Sequence, residues 1–365
     1  MDMMLLDTNL DEVTILDTYK SLIWTERYSE NGDFELYTPA SEDTLSLVKM
    51  DYYLTNPESD HAMIIESIRI DTDPENGDYL TISGRSLESI LERRIVWGRK
   101  VVSGKPQKVI RVLLDECIID PADSARKISN FVFKESTDPA ITSLKAMSAQ
   151  YIGDNLYDVV RTICEDNNIG FKVTLNDSKQ FVFELYAGVD RSYNQTANSY
   201  VVFSPGYDNL IDANYIETRT ALKTAALVAG EGEGDDRKFA SYYKTSGRTK
   251  DTGMNRRELY VDARDLSSDT GDGSGTTLTD EEYTSQLIQR GKDKLTEHTD
   301  VSSFEGQAET RIMFKYGEDF FTGDIVQFSD GYGHEAPARI VEMITSDNDE
   351  GLSVYPTFKT IKEGE

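Results

Sequence analysis

The sequence predicts an α+β protein that is mainly β, with a β-barrel or sandwich at each end and an α+β unit with helical insertions between them. Two observations carry this. Short apolar-alternating runs dominate before residue 98 and after about residue 230, and helical periodicity appears chiefly between residues 106 and 170 and again from Thr279. A chain of 365 residues is long enough for several domains. The expected division is a first β domain over residues 1–97, possible completion of it by strands within 200–229, an α+β domain over 98–199, and a second β domain over 230–365 with a helical insertion at 279–298.

In chain order, Val13 to Leu16, Ser21 to Tyr28 and Asp33 to Thr38 read as strands, with Asn31-Gly32 as the hairpin signal between the second and third. Ser41 to Leu47 adds a turn of helix. Met63, Ile65, Ile68 and Ile70 nearly alternate, Asp73 to Asp78 supplies turn chemistry, and Tyr79, Leu80 and Ile82 resume the alternation, which predicts a hairpin. After Ser83-Gly84 the period changes to 3.6. Leu87, Ile90 and Leu91 share a face, Ser86 can cap, and Arg93 and Arg94 suit the last turn of a short helix.

Pro106 opens an amphipathic helix carried by Ile110, Leu113, Leu114, Cys117 and Ile118. Asp120 to Gln150 is polar and aperiodic apart from Phe131-Val132-Phe133, so an irregular insertion is expected. Asp154 caps a second helix, with Leu156, Val159, Val160, Ile163 and Cys164 on one face and Gly170 at its close. A hairpin from Phe171 to Tyr186 comes next. Tyr200 to Phe203 and Leu210 to Arg219 read as strands, while Leu222 to Val228 suits strand or helix. Arg256 to Asp262 is a strand and Ser267 to Thr277 a loop. Thr279 with Glu282 forms a capping box for a helix with Tyr283, Leu287, Ile288, Gly291 and Leu295 on one side. Gly306 to Phe314, Asp324 to Ser329, Ala338 to Thr345 and Leu352 to Phe358 complete the second β domain.

The 66 acidic residues against 38 basic ones leave a formal charge of −28. Affinity for a phosphate backbone comes mostly from cations that release counterions, so this balance argues against a nucleic-acid reader. It fits either plain solubility or an acidic wall that repels DNA. Two cysteines are too few for a disulfide framework and point to a reduced cytoplasmic origin. The N-terminus has four acids and no base in its first thirteen residues, unlike a signal peptide. No apolar run approaches the ~20 residues a bilayer requires, so no membrane insertion is expected.

Gly230-Glu231-Gly232-Glu233-Gly234-Asp235-Asp236-Arg237 is a candidate site. It lacks the Gly-Lys-Ser/Thr ending of a phosphate loop, and its carboxylates would repel a nucleotide. Alternate glycines instead suit a strand end passing close to neighbouring backbone. The acidic stretches Asp269 to Glu282 and Ser346 to Gly351 lack the calcium-loop spacing. His61, His298 and His334 have no metal-ligand spacing and read as surface residues. No catalytic residue, metal or cofactor is assigned. Gly230, Glu231, Gly232, Glu233, Gly234, Arg237 and, on the hairpin, Arg85 are the expected interaction residues.

Several segments in series carry a resemblance: ISGRSLESILERRIV, NLYDVVRTICEDNNIGFKV, FELYAGVDRSYNQ, VVFSPGYDNLIDANY, VAGEGEGDDR, FKYGEDFFTGDIVQF and ARIVEM. In order and spacing the chain resembles siphovirus Gp37-like tail proteins, relatives of baseplate hubs and of the N-terminal part of tail-associated lysins. The resemblance implies a homotrimeric hub at the tail tip, made in the host cytoplasm, with two tube-like barrels per subunit presented to the distal tail protein ring. The tape-measure protein and receptor-binding or fibre proteins would be further partners. DNA would pass through during genome ejection without being bound. Many such hubs continue into a peptidase or fibre, and this chain stops at Glu365, so wall cleavage is expected elsewhere. The alternatives are a tail-associated wall hydrolase using a carboxylate pair and a carbohydrate-binding β protein.

Overall fold

The computed structural model describes residues 1–73, 77–210, 214–244, 250–269, 277–305, 313–329, 331–333 and 335–361. In chain order the first part holds β1 (Met3–Leu6), β2 (Glu12–Leu16), β3 (Ser21–Arg27), β4 (Asp33–Pro39), α1 (Glu42–Leu47), β5 (Tyr53–Thr55), β6 (Ala62–Asp73) and β7 (Gly77–Ser86). The middle holds β8 (Arg99–Gly104), α2 (Pro106–Leu114), β9 (Phe131–Lys134), α3 (Pro139–Thr142), β10 (Met147–Ile152), α4 (Leu156–Asp166), β11 (Gly170–Leu175) and β12 (Phe181–Tyr186). The last part holds β13 (Val202–Phe203), β14 (Asn214–Thr218), β15 (Ala225–Ala229), β16 (Phe239–Tyr243), β17 (Glu258–Asp262), α5 (Asp280–Thr296), β18 (Val301–Glu305), β19 (Ile325–Ser329), β20 (Glu335–Asn348) and β21 (Gly351–Thr360). The expected class, mainly β with an α+β part, is the one observed.

The two β-rich ends join. The main sheet runs β14-β18-β21-β20-β3-β4-β7-β6-β5-β1-β2, with β19 paired to β20 and β13 to β19. Its seam is the antiparallel pairing of β3 with β20, from Ser21 opposite Asn348 to Arg27 opposite Glu342. Arg27 locks the seam, with Nε 2.6 Å from Glu342 and Nη1 2.6 Å from Asp33. Among the described residues no sheet closes on itself, so the expected barrels are not completed within one chain. Each side of the seam keeps its own core. Trp24, Phe34, Leu54, Ile65 and Ile82 pack on the N-terminal side, and Phe203, Phe320, Phe328, Ile340 and Phe358 on the other.

The α+β unit has the largest cluster, in which α2 and α4 lie with Phe171, Val173 and Phe183 of the β11–β12 hairpin. Here the sequence expectations need several corrections. Residues 120–150 are less irregular than expected: β9 pairs in parallel with β12, and β10 pairs with β8. The first helix ends in a π turn over Asp115–Ile119 that carries Cys117. The cap of α4 is Asn155, not Asp154, because its side chain reaches the Tyr157 N–H. Asn168, with φ +53°, makes the left-handed turn beyond α4, while Gly170 is already in β11.

A smaller sheet, β16-β15-β17, lies under α5, whose capping box is formed by Thr279 and Glu282 as expected. Tyr283, Leu287, Gly291 and Leu295 are buried there, but Ile288 is exposed and buried Gln286 takes part in that face instead. The expected segment 306–312, the turn residues 74–76, loop residues 270–276, residues 211–213 and His334 lie outside the described residues.

Candidate functional site

The segment Gly84 to Glu92, part of the first motif, is a joint. β6 has a bulge between Ile65 and Ser67 opposite this point, and a Cβ on Gly84 would sit 1.8 Å from the Ile64 carbonyl oxygen. Only glycine fits so close an approach of two backbones. Arg85 grips Glu66 through Nε and Nη2 at 2.7 and 3.0 Å, and Glu92 through Nη1 at 2.7 Å. The bonds from Glu66, then from Glu92, hold the guanidinium above its ordinary pKa although burial opposes them. Ser86 does not cap with its side chain. Its Oγ accepts the Gly32 N–H at 2.7 Å, and Leu87–Arg93 forms a 3-10 helix in place of the expected α-helix.

Glu88 lies on that turn, fully buried, accepting the Val173 N–H at 2.8 Å. His61 Nδ1 stands 3.3 Å from its Oε1. The expectation that His61 is a surface residue is therefore wrong. Among the described residues no donor or acceptor completes a directed hydrogen bond to His61 Nδ1, so the attraction is that of an ion pair. One acidic residue inside the buried run Leu87 to Leu91 was the signal available in the sequence.

A cleft of about 910 Å³ opens beside this pair, lined by Trp24, Glu26, His61, Lys172, Tyr186 and Tyr316 among others. Buried Glu26 of β3 accepts from the Ser59 and Tyr316 hydroxyls, one on each carboxylate oxygen, and the Tyr316 and Thr322 hydroxyls are 2.7 Å apart. Burial first, and Glu26 second, push the Tyr316 phenol well above its ordinary pKa. Glu26 thus ties the N-terminal sheet to the 315–324 segment. With both oxygens holding internal donors it is arranged as a structural joint, not as an acid–base catalyst.

The glycine loop connects β15 to β16. A Cβ on Gly230 would meet Tyr283 Oη at 2.4 Å and Leu287 Cδ2 at 2.9 Å, and Gly232 and Gly234 have φ of +92° and +55°. Here the structure shows close approach to a helix and left-handed turns. The Glu231 N–H donates to Tyr283 Oη at 2.8 Å, and Glu231 Oε2 accepts the Ser268 N–H at 3.0 Å. Arg237 donates to the Gly230 and Ala229 carbonyls and to Asp262 at 3.2, 3.1 and 2.8 Å. Glu231 and Arg237 are thereby turned inward, while Glu233 stays exposed at the hairpin end. Arg85 is far along the chain in the other sheet, so the expected interaction residues fall into two separate joints. Cys117 and Cys164 are buried free thiols. Among the described residues no group of three His, Cys, Asp or Glu is placed to hold a metal ion, and no helix is long and apolar enough to cross a membrane.

Residues 2–358 match the family described as Siphovirus ReqiPepy6 Gp37-like protein. Comparison with curated protein sequences finds no match. Among solved structures the fold is similar to the prophage tail protein gp18 of Listeria monocytogenes EGD-e, at 12% identity and a TM-score of 0.55, covering 100% of this chain and 96% of that one. It is similar to the 43 kDa tail protein of prophage MuSo2 from Shewanella oneidensis, at 11% identity and a TM-score of 0.57 over 98% of each chain. It is also similar to a tail protein from Neisseria meningitidis MC58, at 12% identity and a TM-score of 0.54, over 100% of this chain and 97% of that one.

Proposed function

The chain belongs to the Siphovirus ReqiPepy6 Gp37-like family, a phage tail family, and from that membership we propose that it is the structural hub of a tail tip: a homotrimer between the distal tail ring and the host-contacting components. The observation that supports this most is the open sheet with two cores on either side of one seam. β2 and β14 end the main strand path. Strand edges of this kind are stable when a neighbour covers them, and three copies set around an axis would bring six β-rich halves to a sixfold ring.

The acid excess belongs to the same reading. Carboxylates on the wall of a channel repel phosphates over about a Debye length, roughly 8–10 Å at physiological salt, so DNA slides past without adhering. The role is structural. The glycine loop and the Gly84 to Glu92 joint hold the subunit's parts in register, and receptor-binding, fibre and tape-measure proteins are partners of the assembly.

Native mass measurement of the purified chain, alone and mixed with its ring partner, tests this. Trimers are expected in at least one case. Monomers and dimers alone in both would overturn the reading, and clearing of host cell walls by the purified chain would overturn its structural character.

A further inference from the structure

The longest uncharged run of the sequence is Ser192 to Tyr207, in a chain of which 28% is charged and whose net charge is −28. Its apolar members divide into two sets. Val201, Val202 and Phe203 are buried, and β13 pairs with Gln327 and Phe328 of β19. Tyr193, Tyr200 and Tyr207 are instead 47%, 43% and 50% exposed. The rings are gathered on one surface: Tyr193 and Tyr200 meet edge to face with their centres 5.3 Å apart. Tyr207 reaches Tyr193 from the far end of the run, and burial first and Tyr207 second raise the Tyr193 phenol above its ordinary pKa, so it remains a donor.

The loop that presents these rings is braced from within. Gln195 Oε1 accepts the Ala197 and Asn198 N–H groups, each at 2.7 Å, and Gln195 Nε2 donates to the Ser192 and Asn198 carbonyls at 3.1 and 3.2 Å. Asn198 Nδ2 donates to the Asp190 carbonyl at 3.0 Å. At the base, the Val201 N–H donates to the Arg191 carbonyl at 3.1 Å, and Arg191 is held to buried Asp324 at 2.7 Å. Ser204 Oγ accepts the Gly206 N–H at 3.2 Å and fixes the turn that carries Tyr207. A surface whose groups are already placed loses little entropy on binding. Gln195 and Asn198 are occupied inside the loop, whereas the exposed Asn194, Thr196 and Ser199 side chains make no hydrogen bond among the described residues.

This combination selects a ligand chemistry. A sugar ring has a C–H face and a rim of hydroxyls. Aromatic faces take the first through dispersion, and phenol, amide and hydroxyl groups take the second as donors and acceptors together. Tyrosine among serine and asparagine is a recognition composition in its own right, rigid rings beside adaptable hydrogen-bonding groups. The run has no cation for a phosphate backbone and neither Arg nor Met, which protein interfaces favour beside their aromatics. We infer that the surface of Tyr193, Tyr200 and Tyr207 binds a neutral oligosaccharide, with Asn194, Thr196 and Ser199 meeting its hydroxyls. The inference goes beyond the hub reading and does not depend on trimer formation.

The test applies the purified full chain to an array of neutral and acidic oligosaccharides and titrates the best-bound neutral one by calorimetry. Binding to neutral hexose or N-acetylhexosamine oligosaccharides, in preference to acidic ones, is expected. Tyr193→Ala and Tyr200→Ala should each weaken it by about tenfold or more. Tyr260→Ala, which removes a tyrosine 57% exposed on β17, should leave it unchanged. Thermal melts check that the variants fold, and Tyr207→Ala replaces either ring variant that does not. Absence of binding to any neutral oligosaccharide, a preference for acidic ones, binding that survives loss of the rings, or an equal loss in Tyr260→Ala would overturn the site. Slowed amide exchange over residues 192–207 when the chain self-assembles or meets its ring partner would make the surface a protein contact and overturn the choice of ligand.

Discussion

His61 Nδ1 lies 3.3 Å from Glu88 Oε1, and both side chains are buried where the N-terminal sheet meets the β11–β12 hairpin. Burial opposes a charge on the imidazole, yet the Glu88 carboxylate outweighs it, with a smaller push from Glu26, and the His61 pKa rises from 6.5 to about 9. Burial also opposes ionisation of Glu88, and His61 nonetheless holds it below the ordinary carboxylate value. Because the folded imidazole binds its proton more tightly than the unfolded one, its contribution is full below pH 6.5 and is lost as pH rises through about 9. The Glu88 contribution is lost at the acid end, as pH falls through its lowered pKa. Urea unfolding should therefore show stability declining from about pH 6.5 to about pH 9.5. Glu88→Gln should cost roughly 1–3 kcal/mol near neutrality, because the buried imidazole loses its carboxylate partner and sheds its proton, and should flatten that decline. An unchanged slope in the variant would refute the assignment.

Gly84→Ala should destabilise the chain by about 1–3 kcal/mol or more, since the Ile64 carbonyl is backbone and cannot swing away from the new Cβ. Chemical unfolding of the purified variant measures this. Gly77→Ala gives the contrast: nothing stands within 4 Å of its Cβ position, so its cost, in a turn with φ +93°, comes from backbone conformation alone.

Tyr283 Oη accepts the Glu231 N–H and donates to the Leu266 carbonyl at 3.0 Å. Removing the hydroxyl leaves both groups unpaired in the interior. Tyr283→Phe should cost roughly 1–3 kcal/mol, and faster amide exchange should be confined to the Gly230–Arg237 loop and Leu266. Uniform acceleration across the main sheet would show that the loop is not anchored through this residue.

Asp293 of α5 has its pKa pushed up to about 7, by burial first and by the nearby Asp166 second, although Gln289 donates to it at 2.7 Å. An acid whose folded pKa is raised holds its proton in the fold, so stability falls as pH rises from its ordinary value of 3.8 through about 7. Asp293→Asn should remove that fall and leave the chain about 1–2 kcal/mol more stable than the parent at pH 8. Thermal melts at pH 5 and pH 8 distinguish this from a variant that is equally altered at both.

Much of the fold was legible because its signals are local. The hairpin of β6 and β7, the capping box at Thr279, the apolar faces of α2 and α4, and the β20–β21 pair all announce themselves within a short stretch of chain. β8 and β10 did not, since Arg99 to Gly104 and Met147 to Ile152 alternate weakly and find each other across a long interval of sequence. β16 was hidden in the same way behind the glycine loop. The seam was invisible for a stronger reason: nothing in Ser21 to Arg27 indicates that its neighbour is Glu342 to Asn348. Among site residues, Arg237 and the glycines were found by composition, but what they do depends on Tyr283, much further along the chain. His61 and Glu88 were missed because a lone histidine and a lone glutamate give no sign of being partners until the chain folds.

The β3–β20 pairing sets a timetable for biosynthesis. As the polypeptide leaves the ribosome, β3 has β4 on one flank early, but its other flank has no native neighbour until β20, far later in the sequence, has been made. Contacts so distant in sequence form late and slowly, and the waiting flank is open to wrong partners meanwhile. A subunit whose central sheet waits for β20 cannot be built into an assembly before that strand exists.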